Sequence, residues 1–110
     1  MSNVYAIDFD DTICSDGFPK CGQVNMRMVD FINALHNKGH YWILYTMREG
    51  KYLDDAIEFI KMEVGVLPDA VNDNIDFLKE RWSNNPRKVY ADYYIDDHNV
   101  GGVQIPWDTL

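Results

Sequence analysis

Several features that point to particular classes of protein are scarce in this sequence of 110 residues. The two cysteines, Cys14 and Cys21, are too few for a disulfide framework, and their spacing is not that of zinc ligands. The sequence has no apolar run near the ~20 residues of a membrane-spanning helix, and no basic segment precedes an apolar stretch at its N-terminus. We therefore expect unpaired thiols, no membrane association and a cytoplasmic location.

Basic residues are also scarce. The chain has 10 Lys and Arg against 18 acidic residues, and its formal net charge is −8. Binding of long nucleic acids needs clustered Lys and Arg, so we do not expect such a partner. Only four of the acidic residues are Glu and the other 14 are Asp. Because Asp favours caps, turns and metal-binding loops over helix interiors, the positions of the Asp residues are informative.

Apolar residues follow two different periods along the chain. Four short apolar runs are typical of buried strands, the third of them weak and interrupted by Pro68: residues 4–9, 41–45, 66–71 and 89–95. Three stretches carry apolar residues at helical spacing: residues 28–35, 53–64 and 75–82. This alternation predicts a single α/β domain over residues 1–110, with a parallel sheet that has room for four strands.

Capping residues define the predicted helix ends. Asn25 is a candidate cap for the first helix, and Gly39 a candidate end. Gly65 would stop the second helix, and Asp73 or Asn74 would cap the third.

Residues 13–23 contain Gly17, Pro19 and Gly22, which indicates a loop or a small hairpin. In a hairpin, Cys14 and Cys21 could approach each other. This segment is a candidate lid over a site, and a plain connecting turn is an equal alternative.

Polar residues follow three of the four predicted strands. Asp8 and Asp10 follow the first strand, Thr46 the second, and Asp96 and Asp97 the last. Parallel strands present their carboxyl ends at one edge of the sheet, so these side chains should meet there. Carboxylates that meet repel one another unless a cation neutralises them, and oxygen ligands favour Mg²⁺. The alternative is a set of solvated aspartates that make hydrogen bonds in turns.

Two basic residues border the same predicted edge. Arg48 follows Thr46 closely, and Lys88 precedes the last strand. Either side chain could neutralise a phosphoryl group. For Arg48 a solvent-exposed surface charge is an equal alternative, whereas the position of Lys88 beside the acidic strand favours a functional role.

Four segments, in chain order, resemble the signatures of the haloacid dehalogenase superfamily of phosphotransferases. Residues 4–12 are an apolar strand followed by Asp-x-Asp-x-Thr, and residues 43–46 are an apolar strand that ends in Thr. Lys88 resembles the lone lysine of the third signature, and residues 93–97 resemble the strand with paired acids of the fourth. Residues 95–102 are similar to a group of small, capless bacterial or phage members.

The resemblance implies a three-layer, Rossmann-like fold and a phosphatase mechanism. Asp8 would be the nucleophile that forms an aspartyl-phosphate, and Asp10 the general acid and base. Mg²⁺ would be held by the Asp8 carboxylate, the Asp10 backbone carbonyl and Asp96. Asp97 would complete the metal site by orienting a metal-bound water or Lys88.

The resemblance also implies residues on the substrate side. Thr46 would bind the phosphoryl oxygens, and Lys88 would offset charge in the transition state. Asp11 and Thr12, which complete the first signature, and Arg48 are candidate substrate-binding residues. Asp11 stands where many members of the superfamily have Gly, so it would either add negative charge beside the phosphate or face away from it.

The spacing of the signatures leaves no room for a cap domain. An open site suits the phosphorylated end group of a larger molecule, or a small phosphorylated molecule enclosed by a second subunit in a homo-oligomer. We therefore expect a Mg²⁺-dependent phosphomonoester hydrolase. Two alternatives remain: a non-enzymatic phospho-acceptor like the receiver domains of two-component signalling, and an inactive binding protein.

Aromatic residues near the predicted strands could belong to the core or to a subunit interface, and the core is favoured for those inside strands. They are Tyr41, Trp42, Tyr45, Tyr90, Tyr93, Tyr94 and Trp107. His98, which follows the acidic pair, could contact substrate or lie in a loop.

Overall fold

The computed structural model describes residues 2–15 and 17–110. In chain order, its elements are β1 (Val4–Ile7), β2 (Cys14–Ser15), β3 (Gln23–Val24), α1 (Met26–Asn37), β4 (Tyr41–Leu44), α2 (Gly50–Glu63), β5 (Ala70–Val71), α3 (Asp76–Trp82), β6 (Tyr93–Ile95) and a 3₁₀ helix (Trp107–Thr109). Within the described ranges, no helix is long and apolar enough to cross a membrane.

Four parallel strands form the main sheet in the order β5-β4-β1-β6. Strands β1, β4 and β5 lie side by side in chain order. The chain then returns, and β6 pairs with the opposite side of β1. The strand order therefore reverses between β1 and β6. In open α/β sheets a crevice forms at the carboxyl ends of the two strands at such a reversal, and ligands bind there.

Successive residues of β1 point to opposite faces of the sheet, and each face has its own core. Tyr5 and Ile7 belong to the larger cluster, which includes buried residues of α1 and α2. Val4 and Ala6 belong to the smaller cluster, which includes Leu78 of α3. The sheet thus lies between α1 and α2 on one side and α3 on the other, which confirms the predicted three-layer, Rossmann-like α/β fold.

Helix α1 follows the sequence prediction closely. The Asn25 side chain accepts a hydrogen bond of 3.2 Å from the backbone N–H of Arg27, as an N-cap residue should. After the helix, the N–H of Gly39 bonds to the carbonyl of His36, and Gly39 adopts a φ of 80°. Gly65 follows α2 in the same way with a φ of 83°.

The predicted cap of α3 is wrong. Ile75 occupies the N-cap position, and its side chain has no atom that can accept a hydrogen bond. The Asp73 carboxylate instead accepts hydrogen bonds from Lys79 and Asn85. Asn74 is almost completely buried, and its side chain binds the segment that follows α3.

The last strand is shorter than the predicted run over residues 89–95. The side-chain oxygen of Asn74 accepts a hydrogen bond of 2.7 Å from the N–H of Tyr90, and the Tyr94 hydroxyl donates to the carbonyl of Val89. The N–H of Tyr90 and the carbonyl of Val89 are thus bonded to side chains and not to the backbone of a neighbouring strand. Strand β6 therefore begins only at Tyr93. Likewise, the weak third run pairs only over Ala70–Val71.

Strands β2 and β3 pair antiparallel, which confirms a small hairpin within the predicted 13–23 segment. Asp16 of that segment lies outside the described residues. Both Cys14 and Cys21 are free thiols, the first buried and the second half-buried.

The aromatic residues near the strands divide into two groups. Trp42 in β4 is fully buried, as expected for a core residue, whereas Tyr45, Tyr90, Tyr93 and Trp107 are exposed by more than a third of their surface. The expectation of a core position is therefore wrong for Tyr45, Tyr90 and Tyr93, all of which lie in the runs predicted as strands. Tyr45 lies directly after β4, where the strand leaves the sheet.

Candidate functional site

Three carboxylates meet at the crevice between β1 and β6. One oxygen each from Asp8, Asp96 and Asp97 lies within 4.8 Å of the others; we name these residues the acidic cluster. The two strand ends are held together by a hydrogen bond of 2.9 Å from the N–H of Asp8 to the carbonyl of Ile95. Residues 8 and 96 are thus close enough to bind one hard divalent cation together.

The close approach of these carboxylates changes their protonation. Burial is the largest cause that raises the pKa of Asp8, to about 8, and the hydrogen bond with Asp97 and the charge of Asp96 act in the same direction. For Asp97, burial acts to raise the pKa, but hydrogen bonds with Asp8 and Asp96 outweigh it, so the pKa lies below its usual value. Without a cation, Asp8 therefore holds a proton near neutral pH.

Thr12 forms hydrogen bonds with two members of the acidic cluster. Its hydroxyl donates to Asp8 Oδ2 at 3.1 Å and accepts from the N–H of Asp97 at 3.2 Å. Its side chain is buried, with 1% of the residue exposed. The prediction that Thr12 binds substrate is therefore wrong: the residue positions Asp8 and the end of β6 instead.

Thr46 lies at the same edge of the main sheet, in the segment that joins β4 to α2. Its N–H donates to Asn72 Oδ1 at 2.8 Å, and its hydroxyl oxygen accepts from the N–H of Arg48 at 3.1 Å. A hydroxyl that accepts one hydrogen bond still has its own hydrogen to donate, as a phosphate ligand would require. Asn72, which sequence reasoning missed, adopts a φ of 51°, a conformation that Asn tolerates better than most residues.

Two clefts open onto the acidic cluster, and both are lined by Asp8, Thr46, Met47 and Asp96. The first, about 250 Å³, also includes Tyr45, and we call it the apolar cleft. The second, about 450 Å³, also includes Asp10, Asp11, Asp97 and His98, and we call it the acidic cleft. Asp11 thus lies beside the predicted phosphate position, in a left-handed conformation with a φ of 60°.

The carboxylate of Asp10 is bound by Arg48. Both of its oxygens accept hydrogen bonds of 2.8 Å from the guanidinium, in a bidentate ion pair. Among the described residues, the acidic cluster has three members and the Asp10 side chain is not one of them. Asp10 thus lines the acidic cleft together with Asp8, but its carboxylate is held by Arg48 and does not join the acidic cluster.

The predicted roles of Arg48, a phosphate ligand or an exposed surface charge, are both wrong. The residue is 3% exposed, and its remaining N–H groups donate to the carbonyls of Pro19, Lys20 and Tyr52. Together with Asp10, these acceptors account for all five guanidinium N–H groups.

The guanidinium of Arg48 also lies between two aromatic rings. Its central carbon is 4.9 Å from the ring centroid of Phe9 and 5.1 Å from that of Phe18. Arg48 therefore fastens the loop of the hairpin to the segments after β1 and β4.

Lys88 lies in a different cleft from the one predicted. Its Nζ is 5.9 Å from the ring centroid of Tyr94, and it lines a cleft of about 450 Å³ together with Trp82 and Tyr90. The hydrogen bond from Tyr90 to Asn74 holds this segment against α3. The expectation that Lys88 borders the acidic cluster is not met in this arrangement.

The fold and the site define the chain as an α/β domain with an acidic cluster at the reversal point of a parallel sheet. Neither protein-family models nor curated proteins give a match to this chain. A solved structure of a conserved protein from Bacteroides thetaiotaomicron is 35% identical, with a TM-score of 0.80, and the match covers 99% of this chain and 86% of that one. The chain belongs to the same family as that conserved protein.

Proposed function

We propose that this protein is a Mg²⁺-dependent phosphomonoester hydrolase of the haloacid dehalogenase type, with Asp8 as the nucleophile. The observation that carries the proposal is the acidic cluster, whose three carboxylate oxygens lie within 4.8 Å of one another beside Thr46. Solvated turn aspartates have no need to converge in this way, because convergence is unfavourable: burial, the hydrogen bond with Asp97 and the charge of Asp96 together raise the pKa of Asp8 to about 8.

The donor set fits a hard divalent cation. Asp8, Asp96 and Asp97 supply carboxylate oxygens, and the Asp10 backbone carbonyl is the further ligand that the resemblance implies. When bound, Mg²⁺ offsets the negative charge of the phosphoryl group and of the carboxylates.

The chain's own residues supply the bond changes. A carboxylate oxygen of Asp8 bonds to phosphorus while the bond between phosphorus and the ester oxygen breaks. The departing oxygen takes a proton from Asp10, and Thr46 donates a hydrogen bond to the phosphoryl group. A water molecule, deprotonated by Asp10, then attacks the aspartyl-phosphate, which releases inorganic phosphate and restores Asp8.

Two residues must move for this scheme to operate. An oxygen of Asp10 must leave Arg48 and take up a proton from solvent before it can pass that proton to the ester oxygen, because both oxygens accept hydrogen bonds from Arg48 at 2.8 Å. The ammonium of Lys88 must leave the Tyr94 ring if it is to offset charge on the phosphoryl group. Both motions are parts of the proposal.

The alternative of a receiver-like phospho-acceptor is disfavoured by the strand order. Receiver domains have the order 2-1-3-4-5, whereas the main-sheet strands of this chain, numbered in sequence, have the order 3-2-1-4. Asp73, which follows the third of these strands, is ion-paired with Lys79 at 2.9 Å. Among the described residues, the acidic cluster does not include Asp73, which argues against this residue as a phospho-acceptor.

The proposal includes the expected setting of the reaction. The substrate is a phosphorylated small molecule or end group that reaches an open site in the cytoplasm. A homo-oligomer in which a second copy covers the two clefts remains compatible with this site.

Hydrolysis of 4-nitrophenyl phosphate tests the proposal. Turnover should require Mg²⁺, stop with EDTA and be lost in Asp8→Asn, whereas Asp54→Asn, which removes an exposed carboxylate of α2, should retain it. Turnover without metal, or full activity of Asp8→Asn, would contradict the proposal. A long-lived phosphoprotein after treatment with acetyl phosphate, without turnover, would instead favour the phospho-acceptor.

A further inference from the structure

Two apolar side chains flank Thr46 at the mouth of the apolar cleft. Met47 is 97% exposed and Tyr45 is 38% exposed, and both line this cleft together with Asp8 and Asp96. An exposed methionine contributes almost no burial to the stability of the fold. Its position, with a tyrosine, beside the proposed nucleophile suits contact with a ligand instead.

The charges around the acidic cluster are of one sign. The acidic cleft adds Asp10, Asp11 and Asp97 to the carboxylates of Asp8 and Asp96. In the part of the chain that the structure describes, no lysine or arginine lines either cleft. A second anionic group on a substrate would therefore meet carboxylates, and one bound cation would already be engaged by the phosphoryl group.

We propose that the leaving group of the substrate is uncharged and has a flat apolar face, which packs against Tyr45 and Met47. The substrate is thus a monophosphate ester, with an aromatic leaving group preferred, and esters that carry a second phosphate or a carboxylate are rejected. This inference rests on the proposed function, because it takes the phosphoryl group to lie at Asp8.

The chemistry of the two side chains supports this choice of leaving group. The Tyr45 ring can stack on an aromatic ring, and the thioether of Met47 can contact the edge of that ring. Thr46 lies between them in sequence, so a phosphoryl group held by its hydroxyl has the ester oxygen and the leaving group within reach of both neighbours.

Two substrates that differ by one charge test the specificity. Phenyl phosphate and 4-carboxyphenyl phosphate have the same ring, and the carboxylate is mildly electron-withdrawing, which by itself would make the phenol a better leaving group. The wild-type protein with Mg²⁺ should nevertheless show a higher kcat/KM for phenyl phosphate.

Met47→Lys should reverse part of this preference. The new ammonium would attract the carboxylate, so the ratio of kcat/KM for 4-carboxyphenyl phosphate to that for phenyl phosphate should rise about two- to fivefold, as expected for an exposed ion pair. Because Met47 is 97% exposed, the substitution leaves the core intact. Met62→Lys, which makes the same change at an exposed position of α2, should leave the ratio unchanged.

Tyr45→Ala tests the aromatic contact. It should raise KM for phenyl phosphate about three- to tenfold, the range expected for one aromatic pair, while KM for glycerol 3-phosphate, which has no ring, changes little. Equal effects of Met47→Lys or Tyr45→Ala on the paired substrates would overturn the inference. If the wild-type protein shows no Mg²⁺-dependent hydrolysis of any of these esters, the proposed function itself is overturned.

Discussion

Arg48 donates two hydrogen bonds of 2.8 Å to Asp10, one to each carboxylate oxygen, from a side chain that is 1% exposed. This ion pair joins the segment after β1 to the segment after β4. The carbonyls of Pro19 and Lys20 bind the same guanidinium, so three separate parts of the chain converge on one side chain.

Replacing Arg48 by Met should therefore destabilise the fold strongly. The substitution leaves the Asp10 carboxylate without its counter-charge and removes the donors to three carbonyls, and breaking a buried ion pair in this way costs about 3–5 kcal/mol. The free energy of unfolding, measured in urea, checks this prediction. Lys79→Met, which breaks a more exposed ion pair with Asp73, should cost much less, because solvent screens that pair. Similar losses in both variants would contradict the structural role of Arg48.

The raised pKa of Asp8 predicts a pH dependence of stability in the metal-free protein. The pKa is about 8 in the folded chain and has a usual value of 3.8, so the folded state retains a proton that the unfolded state loses between these values. The contribution of Asp8 to stability is fully present below pH 3.8 and is lost as the pH rises through about 8. In EDTA, the Tm of wild type should therefore fall more over this interval than the Tm of Asp8→Asn.

Adding Mg²⁺ gives the opposite trend in the same measurement. Because the proposed site would bind the cation through the ionised carboxylate, the stabilising effect of Mg²⁺ on the wild type should grow as the pH rises towards 8, and it should be much smaller in Asp8→Asn. Parallel Tm curves for the two proteins in EDTA would show that Asp8 does not titrate as described.

Thr12 provides a test of how the acidic cluster is held together. Thr12→Val keeps the shape of the side chain but leaves the Asp97 N–H without its acceptor, which should cost about 1–3 kcal/mol. Mg²⁺ affinity, measured by calorimetry, should fall as well, because Asp8 loses its hydrogen bond. Thr12→Ser retains the hydroxyl and should preserve most of that affinity. Equal affinity of the Val and Ser variants would argue against a positioning role.

Asn74 should be the most sensitive asparagine in the chain. It donates to Asn85 and to the carbonyl of Pro86, and it accepts from the N–H of Tyr90 at 2.7 Å. Asn74→Ala leaves the part-buried carbonyl of Pro86 and N–H of Tyr90 without their partners and opens a gap at a buried position, which should lower the free energy of unfolding by about 2 kcal/mol. The exposed Asn84→Ala should change it by less than about 0.5 kcal/mol. A loss of similar size in both variants would contradict the role given to Asn74.

The parts of the fold that follow from local pattern could be predicted from the sequence. Asn25 caps α1 because its side chain and the helix backbone are neighbours in sequence. The meeting of Asp8 and Asp96 was predictable for a different reason: each follows an apolar strand, and parallel strands present their carboxyl ends together.

The parts that depend on distant acceptors could not be predicted. The partners of Arg48 include backbone carbonyls of the hairpin loop, and backbone acceptors leave no signal in side-chain pattern. Thr12 is buried because the chain turns sharply after β1, where its N–H bonds to the carbonyl of Phe9. Lys88 precedes a segment that the sequence predicts to be a strand but that bonds to the side chain of Asn74 instead. Its position therefore depends on a side chain that is distant in sequence.

The pairing of β1 with β6 has a consequence for how the chain folds while it is being translated. A ribosome that has completed α3 has already released Asp8, but the polypeptide still lacks both acids that follow β6. The nascent chain thus carries the carboxylate of Asp8 without Asp96 and Asp97, which help to raise its pKa in the folded protein. Because the contact between β1 and β6 joins residues far apart in sequence, we expect the acidic cluster to form late in folding.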